Sequence, residues 1–260
     1  MIPKISLLCP TRGRGNKLQS LCENLMDTCK SVRNWEIVFI WDTDDLITTQ
    51  WLGYCRSAFA GMNMRVMCRE HSDNLSEDYF NWAIRSGVAR GRLYWVVGDD
   101  VRMMTGEWDR VVIDGVEEYY RDKPDRIGLC FARDLHPTDK SNIGYEWGCF
   151  PILTKETVEC LGWFFPKEFV TWEADVIMAK IFHDPRVDRL WMLPGVVIDQ
   201  ISYHAYPDVP RDNMAQSMRT RHGNPLYKVM RLDYKQNLME GDINRLAEGI
   251  RNGMAKTESV

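Results

Sequence analysis

Residues 93–100 read LYWVVGDD: five apolar residues, then a glycine and two carboxylates. A run of that length bounded by turn residues reads as a buried strand, and the acidic turn marks its carboxyl end. Two earlier stretches have the same form. KISLLC (Lys4–Cys9) is stopped by Pro10-Thr11-Arg12-Gly13-Arg14, and EIVFIW (Glu36–Trp41) by Asp42-Thr43-Asp44-Asp45. Between the strands the period changes. Leu18, Leu21, Cys22, Leu25 and Cys29 share one face of a helix over 16–32, the spacing of an amphipathic turn. A second helix is predicted over 48–60, and Met64–Cys68 is a further strand. Ser76, with Glu77 and Asp78 in the first turn, is read as the cap of a third helix. Phe80, Ala83, Ile84 and Val88 form its apolar face, and Gly91 is read as its end. Trp108, Val111, Val112 and Val116 define a fourth over 107–121. Alternation at this spacing predicts an α/β domain with a mainly parallel central sheet flanked by helices. Ligands of such sheets bind beyond the carboxyl ends of the strands. The polar punctuation after Cys9, Trp41 and Val97 falls there.

The second half is less regular. Ile127–Ala132 is predicted as a strand, 134–147 as a polar loop, and Thr154 as the cap of a short helix closed by Gly162. Glu173–His183 reads as a helix, and Arg189–Met192 and Val196–Tyr203 as two strands. From Pro207 the chain turns polar. Between Arg211 and Lys256 nine Lys and Arg face five Asp and Glu. The expected division is therefore a domain over 1–206 and a locally basic C-terminal extension over 207–260.

Composition narrows the function. The 260 residues are 45% hydrophobic and 27% charged, which excludes disorder along the whole chain. Apolar runs stop near five residues, far short of the roughly 20 a membrane helix needs, and the start lacks a signal-peptide core. A cytoplasmic protein is expected. Eight cysteines without a C-x-x-C pair read as free thiols. A net charge of −4 argues against a protein that binds nucleic acid by bulk charge.

Each polar turn suits a ligand. A helix start beside Arg12 and Arg14 suits a phosphate, although it is neither a Walker nor a dinucleotide-binding loop. Asp42 can accept hydrogen bonds from a base or a ribose. Asp99 and Asp100 can hold Mg²⁺ or Mn²⁺ together with substrate phosphates. A solvated turn or a helix cap is the alternative reading of each.

Taken together, KISLLCPTRGR (4–14), EIVFIWDTDD (36–45), NWAIRSGVARGRLYWVVGDD (81–100) and GWFFPKEFVTWEAD (162–175) resemble the successive blocks of GT-A-fold glycosyltransferases, closest to the inverting family 2. The resemblance spans about residues 4–204. It implies the GT-A fold, a nucleotide-sugar donor (a UDP-sugar) and a Mn²⁺ or Mg²⁺ cofactor. It places Pro10, Thr11, Arg12, Arg14, Asp42 and Asp99 at the donor, with Asp42 on the base. Asp100 becomes the metal-holding aspartate and His204 a further metal ligand. Asp175 becomes the general base, with Glu173 as the second choice. Gly98 departs from the pattern, since the family carries an aspartate there.

The expected function is transfer of a sugar to a hydroxyl with inversion. A glycan, a protein and a modified DNA base remain open as acceptors. A transferase acting on hydroxymethylated pyrimidines of viral DNA is one alternative, with Arg219 and Arg221 of the basic tail as acceptor contacts. A non-catalytic nucleotide-sugar or glycan-binding module is another.

Overall fold

The computed structural model describes residues 2–135, 149–170, 174–200 and 225–257. Within them eight strands form one sheet: β1 (Ile5–Pro10), β2 (Trp35–Asp42), β3 (Met64–Arg69), β4 (Leu93–Val96), β5 (Val101–Met103), β6 (Leu129–Asp134), β7 (Pro151–Thr154) and β8 (Leu190–Gln200). Their order is β3-β2-β1-β4-β7-β6-β8-β5. The first four are mutually parallel. β7 runs antiparallel to both β4 and β6, and β8 joins β6 in parallel and β5 in antiparallel sense. The sheet is therefore mixed, with its parallel part confined to the first hundred residues plus the β6–β8 pair. The continuous apolar runs have their physical reason here. β1 and β2 are central and covered on both faces, so nearly every side chain in them is buried.

Helix α1 (Gly15–Thr28) links β1 to β2, and α2 (Leu46–Ala58) links β2 to β3. The third helix starts as a π turn, Ser76–Asn81, and continues as α3 (Trp82–Arg85). It differs from the sequence reading at both ends. The Asn74 side chain accepts from the Glu77 amide, while the Ser76 hydroxyl turns away to the Phe169 carbonyl. The helix stops before Gly87, which has φ +71°. Gly91 instead lets the chain press on β1, because a Cβ there would stand 2.6 Å from the Ser6 amide nitrogen.

α4 (Trp108–Tyr119) and α5 (Lys155–Leu161) lie where predicted, α5 capped by Thr154 and closed by Gly162. α6 spans Ala174–His183. The two strands expected over 189–203 are one strand, β8, as far as Gln200. Pro194 and Gly195 sit at a break in its register with β6 rather than at its end. Two short strands, β5 and β7, have too few residues to show a period and were not expected. β5 forms one border of the sheet. There Asn24 of α1 stands in for a neighbouring strand: its side-chain amide donates to the Met103 carbonyl at 3.2 Å and accepts from the Met103 amide at 2.7 Å. This contact fastens β5 to α1.

Residues 225–257, read as a polar extension rather than core, form α7 (Pro225–Asp233), a π turn (Tyr234–Leu238) and α8 (Met239–Thr257). Tyr234, Ile243, Leu246 and Ile250 are buried in the same hydrophobic core as the sheet. A helix that is polar on average still buries a stripe at its 3.6-residue period. All eight cysteines are free thiols. Among the described residues, no helix is long and apolar enough to cross a membrane.

Candidate functional site

β2, β1 and β4 lie side by side in parallel, so the polar residues after each strand converge at one edge of the sheet. Pro10 is the last residue of β1, and the Thr11 amide extends the pairing by donating to the Ile40 carbonyl at 2.9 Å. Gly13 then takes φ +67°, a conformation costly for any residue with a Cβ. Its amide donates to Asp45 Oδ2 at 2.7 Å, while Asp45 Oδ1 caps α2 through the Thr48 amide at 3.0 Å. The turn holds Arg12 and Arg14 apart, Arg12 on Asp42 and Asp44 and Arg14 on Asp99.

Arg14 goes to Asp99. Its Nε lies 3.0 Å from Asp99 Oδ2, and the Thr11 hydroxyl donates to the same oxygen at 2.8 Å. Asp99 is fully buried. Burial pushes its carboxyl up to about 6, opposed by Arg14 and reinforced by the neighbouring charge of Asp100. Its other oxygen, Oδ1, is buried without a hydrogen-bond partner. Asp100 is half-buried on the same turn. Gly98 makes room for it: a Cβ at residue 98 would fall 2.5 Å from Asp100 Oδ1.

Asp99 and Asp100 are adjacent hard-oxygen donors, one of them with an unused buried oxygen. That chemistry fits Mn²⁺ or Mg²⁺, which take one or two carboxylates and complete their shell with phosphate oxygens and water. Among the described residues, no group of three or more His, Cys, Asp and Glu side chains is gathered for a metal.

Arg12 goes to the second strand end. It donates to Asp42 Oδ2 at 2.6 Å and to both oxygens of Asp44 at 2.6 and 2.8 Å. The guanidinium holds the exposed Asp44 carboxyl down at about 2. Asp42 is buried and collects two further partners. His71 Nδ1 lies 2.8 Å from Oδ2, and the Tyr79 hydroxyl donates to Oδ1. Burial, then the bond to Asp42, pushes the Tyr79 hydroxyl up from its ordinary value, so it stays protonated. Asp42 thus has polar side-chain partners on both of its oxygens.

A third group ties in the late block of sequence. Asn81 Oδ1 accepts from the Phe164 and Phe165 amides at 2.7 and 3.1 Å, and its amide donates to the Phe165 carbonyl at 2.8 Å. Residues 162–170 are thereby fastened to the segment before α3. Asp175 lies beyond them, half-buried in the first turn of α6. Glu173, His204, Arg219 and Arg221 lie outside the described residues.

The structure therefore gathers Thr11, Arg14 and Asp99 into one cluster and Arg12 and Asp42 into another. His71, Tyr79 and Asn81 were not singled out from the sequence. His71 was findable. It follows the third strand as Asp42 follows the second, and the same reasoning about carboxyl ends applies to it. Tyr79 carries no such signal, since its helix shows only an apolar face in the sequence, whereas Asn81 opens the 81–100 block of the family resemblance without a role assigned to it.

These strands and turns define the GT-A fold of nucleotide-sugar transferases, and comparison with solved structures agrees. The chain superposes on the mannosyltransferase PcManGT from Pyrobaculum calidifontis, in complex with GDP-Man and Mn²⁺, with a TM-score of 0.60. Identity is 16%, covering 98% of this chain and 76% of that one. It also matches S. aureus TarS residues 1–349 (TM-score 0.57, 12% identity, 98% and 91% covered). A third match is GalNAc-T7 with UDP, GalNAc and Mn²⁺ (0.57, 12%, 96% and 58%). At these identities the likeness establishes the fold. No family model matches the chain, and no curated protein matches it by sequence.

Proposed function

We propose that the chain is a metal-dependent glycosyltransferase that moves a sugar from a nucleotide-sugar, a UDP-sugar, to a hydroxyl acceptor with inversion. One observation carries the reading. The three polar turns expected at the donor sit on adjacent parallel strand ends of a GT-A fold, with Thr11 and Arg14, after β1, bonded to Asp99, after β4. Solved structures of this fold hold GDP-Man, UDP or UDP-GlcNAc, and two of them Mn²⁺.

In this reading Asp42, with Arg12, His71 and Tyr79 around it, meets the base. Arg14 and the turn at Gly13 face the diphosphate. Asp100, with Asp99, would hold Mn²⁺ or Mg²⁺, which supplies positive charge to the leaving diphosphate. Asp175 takes the proton of the acceptor hydroxyl as its oxygen attacks the anomeric carbon. Attack from the face opposite the leaving group gives one displacement and an inverted centre, through a transition state of oxocarbenium character.

The test is a screen of nucleotide-sugars for release of nucleoside diphosphate with Mn²⁺, with and without glycan, protein and hydroxymethylated-DNA acceptors. Release from one donor supports transfer, and stimulation by one acceptor class names it. Tight binding of a nucleotide-sugar with no release under any condition leaves the binding-module reading, which Gly98 in the first metal position favours.

A further inference from the structure

The stretch from Ser72 to Asn81 touches both Asp42 and the 164–170 segment. At one end the Tyr79 hydroxyl donates to Asp42 Oδ1, and the Ser72 amide donates to the Tyr79 oxygen at 3.1 Å. At the other, four residues grip the 164–170 segment. Asn74 donates to the Lys167 carbonyl at 2.8 Å, the Leu75 amide to the Val170 carbonyl at 2.9 Å, and the Ser76 hydroxyl to the Phe169 carbonyl. Asn81 spends its side-chain oxygen on the Phe164 and Phe165 amides and its nitrogen on the Phe165 carbonyl and Glu77. Ser76 and Asn81 are both buried. The ring of Phe80 packs edge-on to Phe165 at 5.4 Å.

The π turn over Ser76–Asn81 explains how one short helix does both. Its i→i+5 bonding brings residues five apart onto one face, and Ser76 and Asn81 are five apart. Tyr79 lies off that face and is left to reach Asp42. An α-helical turn would swing Ser76 and Asn81 away from each other, and only one of the pair could face the 164–170 segment.

We propose that Ser76 and Asn81 are positioning residues, and that the π turn relays the state of Asp42, through Tyr79, to the segment leading into Asp175. The relay is a property of the fold. Its consequence for turnover rests on the transferase reading above.

The test has two arms. In the first, amide hydrogen exchange is measured on the wild-type chain and on Tyr79→Phe without ligand. The expected result is exchange at least about tenfold faster at the Phe164, Phe165 and Leu75 amides, with central-strand amides such as Leu7 and Val38 unchanged. Unchanged exchange at Phe164 and Phe165 overturns the relay, whatever the chain catalyses. In the second, Ser76→Ala and Asn81→Asp are assayed with the nucleotide-sugar that the screen selects. The expected result is a donor Kd within about twofold of wild type and a kcat lowered roughly tenfold or more. Ser76→Ala removes one hydroxyl and carries this arm if Asn81→Asp does not fold. A raised Kd with unchanged kcat would make these donor-binding residues and overturn the positioning role. Faster exchange in Tyr79→Phe combined with no turnover of any nucleotide-sugar overturns the transferase reading and leaves the relay standing.

Discussion

Replacing Thr11 by valine removes one hydroxyl and keeps the shape of the side chain. That hydroxyl donates at 2.8 Å to Oδ2 of the fully buried Asp99. A hydrogen bond to a charged group contributes about 1.5–3 kcal/mol, and one pH unit corresponds to about 1.4 kcal/mol. The Asp99 carboxyl, already pushed up to about 6 from 3.8, should therefore move up by a further one to two pH units, roughly, in Thr11→Val.

The sign follows from linkage. Asp99 has a raised value in the fold, so its contribution to stability is fully present below 3.8 and is lost as pH rises through 6. In Thr11→Val that loss continues through about pH 7–8. The stability gap between wild type and variant should widen by roughly 1–2 kcal/mol between pH 5 and pH 8. Urea unfolding at both values measures it. The same pair in an Asp99→Asn background should show a gap that does not change with pH. A gap of equal size at pH 5 and pH 8 in the native background would refute the assignment of Asp99 as the charged acceptor of this hydroxyl.

Asp100→Asn should abolish Mn²⁺-dependent release of nucleoside diphosphate and leave the unfolding midpoint close to wild type, since the side chain is half-buried at a strand end. Near-full activity in a Mn²⁺ titration would remove it from the metal site. Asp175→Asn should leave calorimetric donor binding intact and lower transfer by roughly 10²–10⁴-fold, the loss expected for a general base; if Glu173→Gln shows that loss instead, the base is Glu173. Gly91→Ala should destabilise the chain by about 1–3 kcal/mol or more. Its Cβ meets the Ser6 amide nitrogen and the Ile5 carbonyl carbon at 2.6 and 2.8 Å, backbone that cannot step aside. A midpoint unchanged in urea would show that the β1–β4 edge is looser than this contact implies.

The parallel half of the sheet was legible because its strands are buried on both faces. Burial on both faces demands unbroken apolar runs, and KISLLC, EIVFIW and LYWVV supply them one after another. Each run must end in polar residues where it leaves the core, so Thr11, Arg14, Asp42, Asp99 and Asp100 were visible as a group by the same logic. Strands as short as β5 and β7 carry no period, and the polar average of 225–257 hid the buried stripe of Tyr234, Ile243, Leu246 and Ile250.

Which of the site residues meet which was beyond sequence. Asp42 and Tyr79 are 37 residues apart, Thr11 and Asp99 are 88, and Asn81 and Phe164 are 83. Partners this distant are chosen by how parallel strands stack their ends and by where a π turn points its side chains. Local spacing specified the strands and the chemistry at their tips. Only the assembled sheet decided that Arg12 and Arg14, two residues apart, face different carboxylates, because the left-handed turn at Gly13 and its bond to Asp45 exist only once β1 and α2 are side by side.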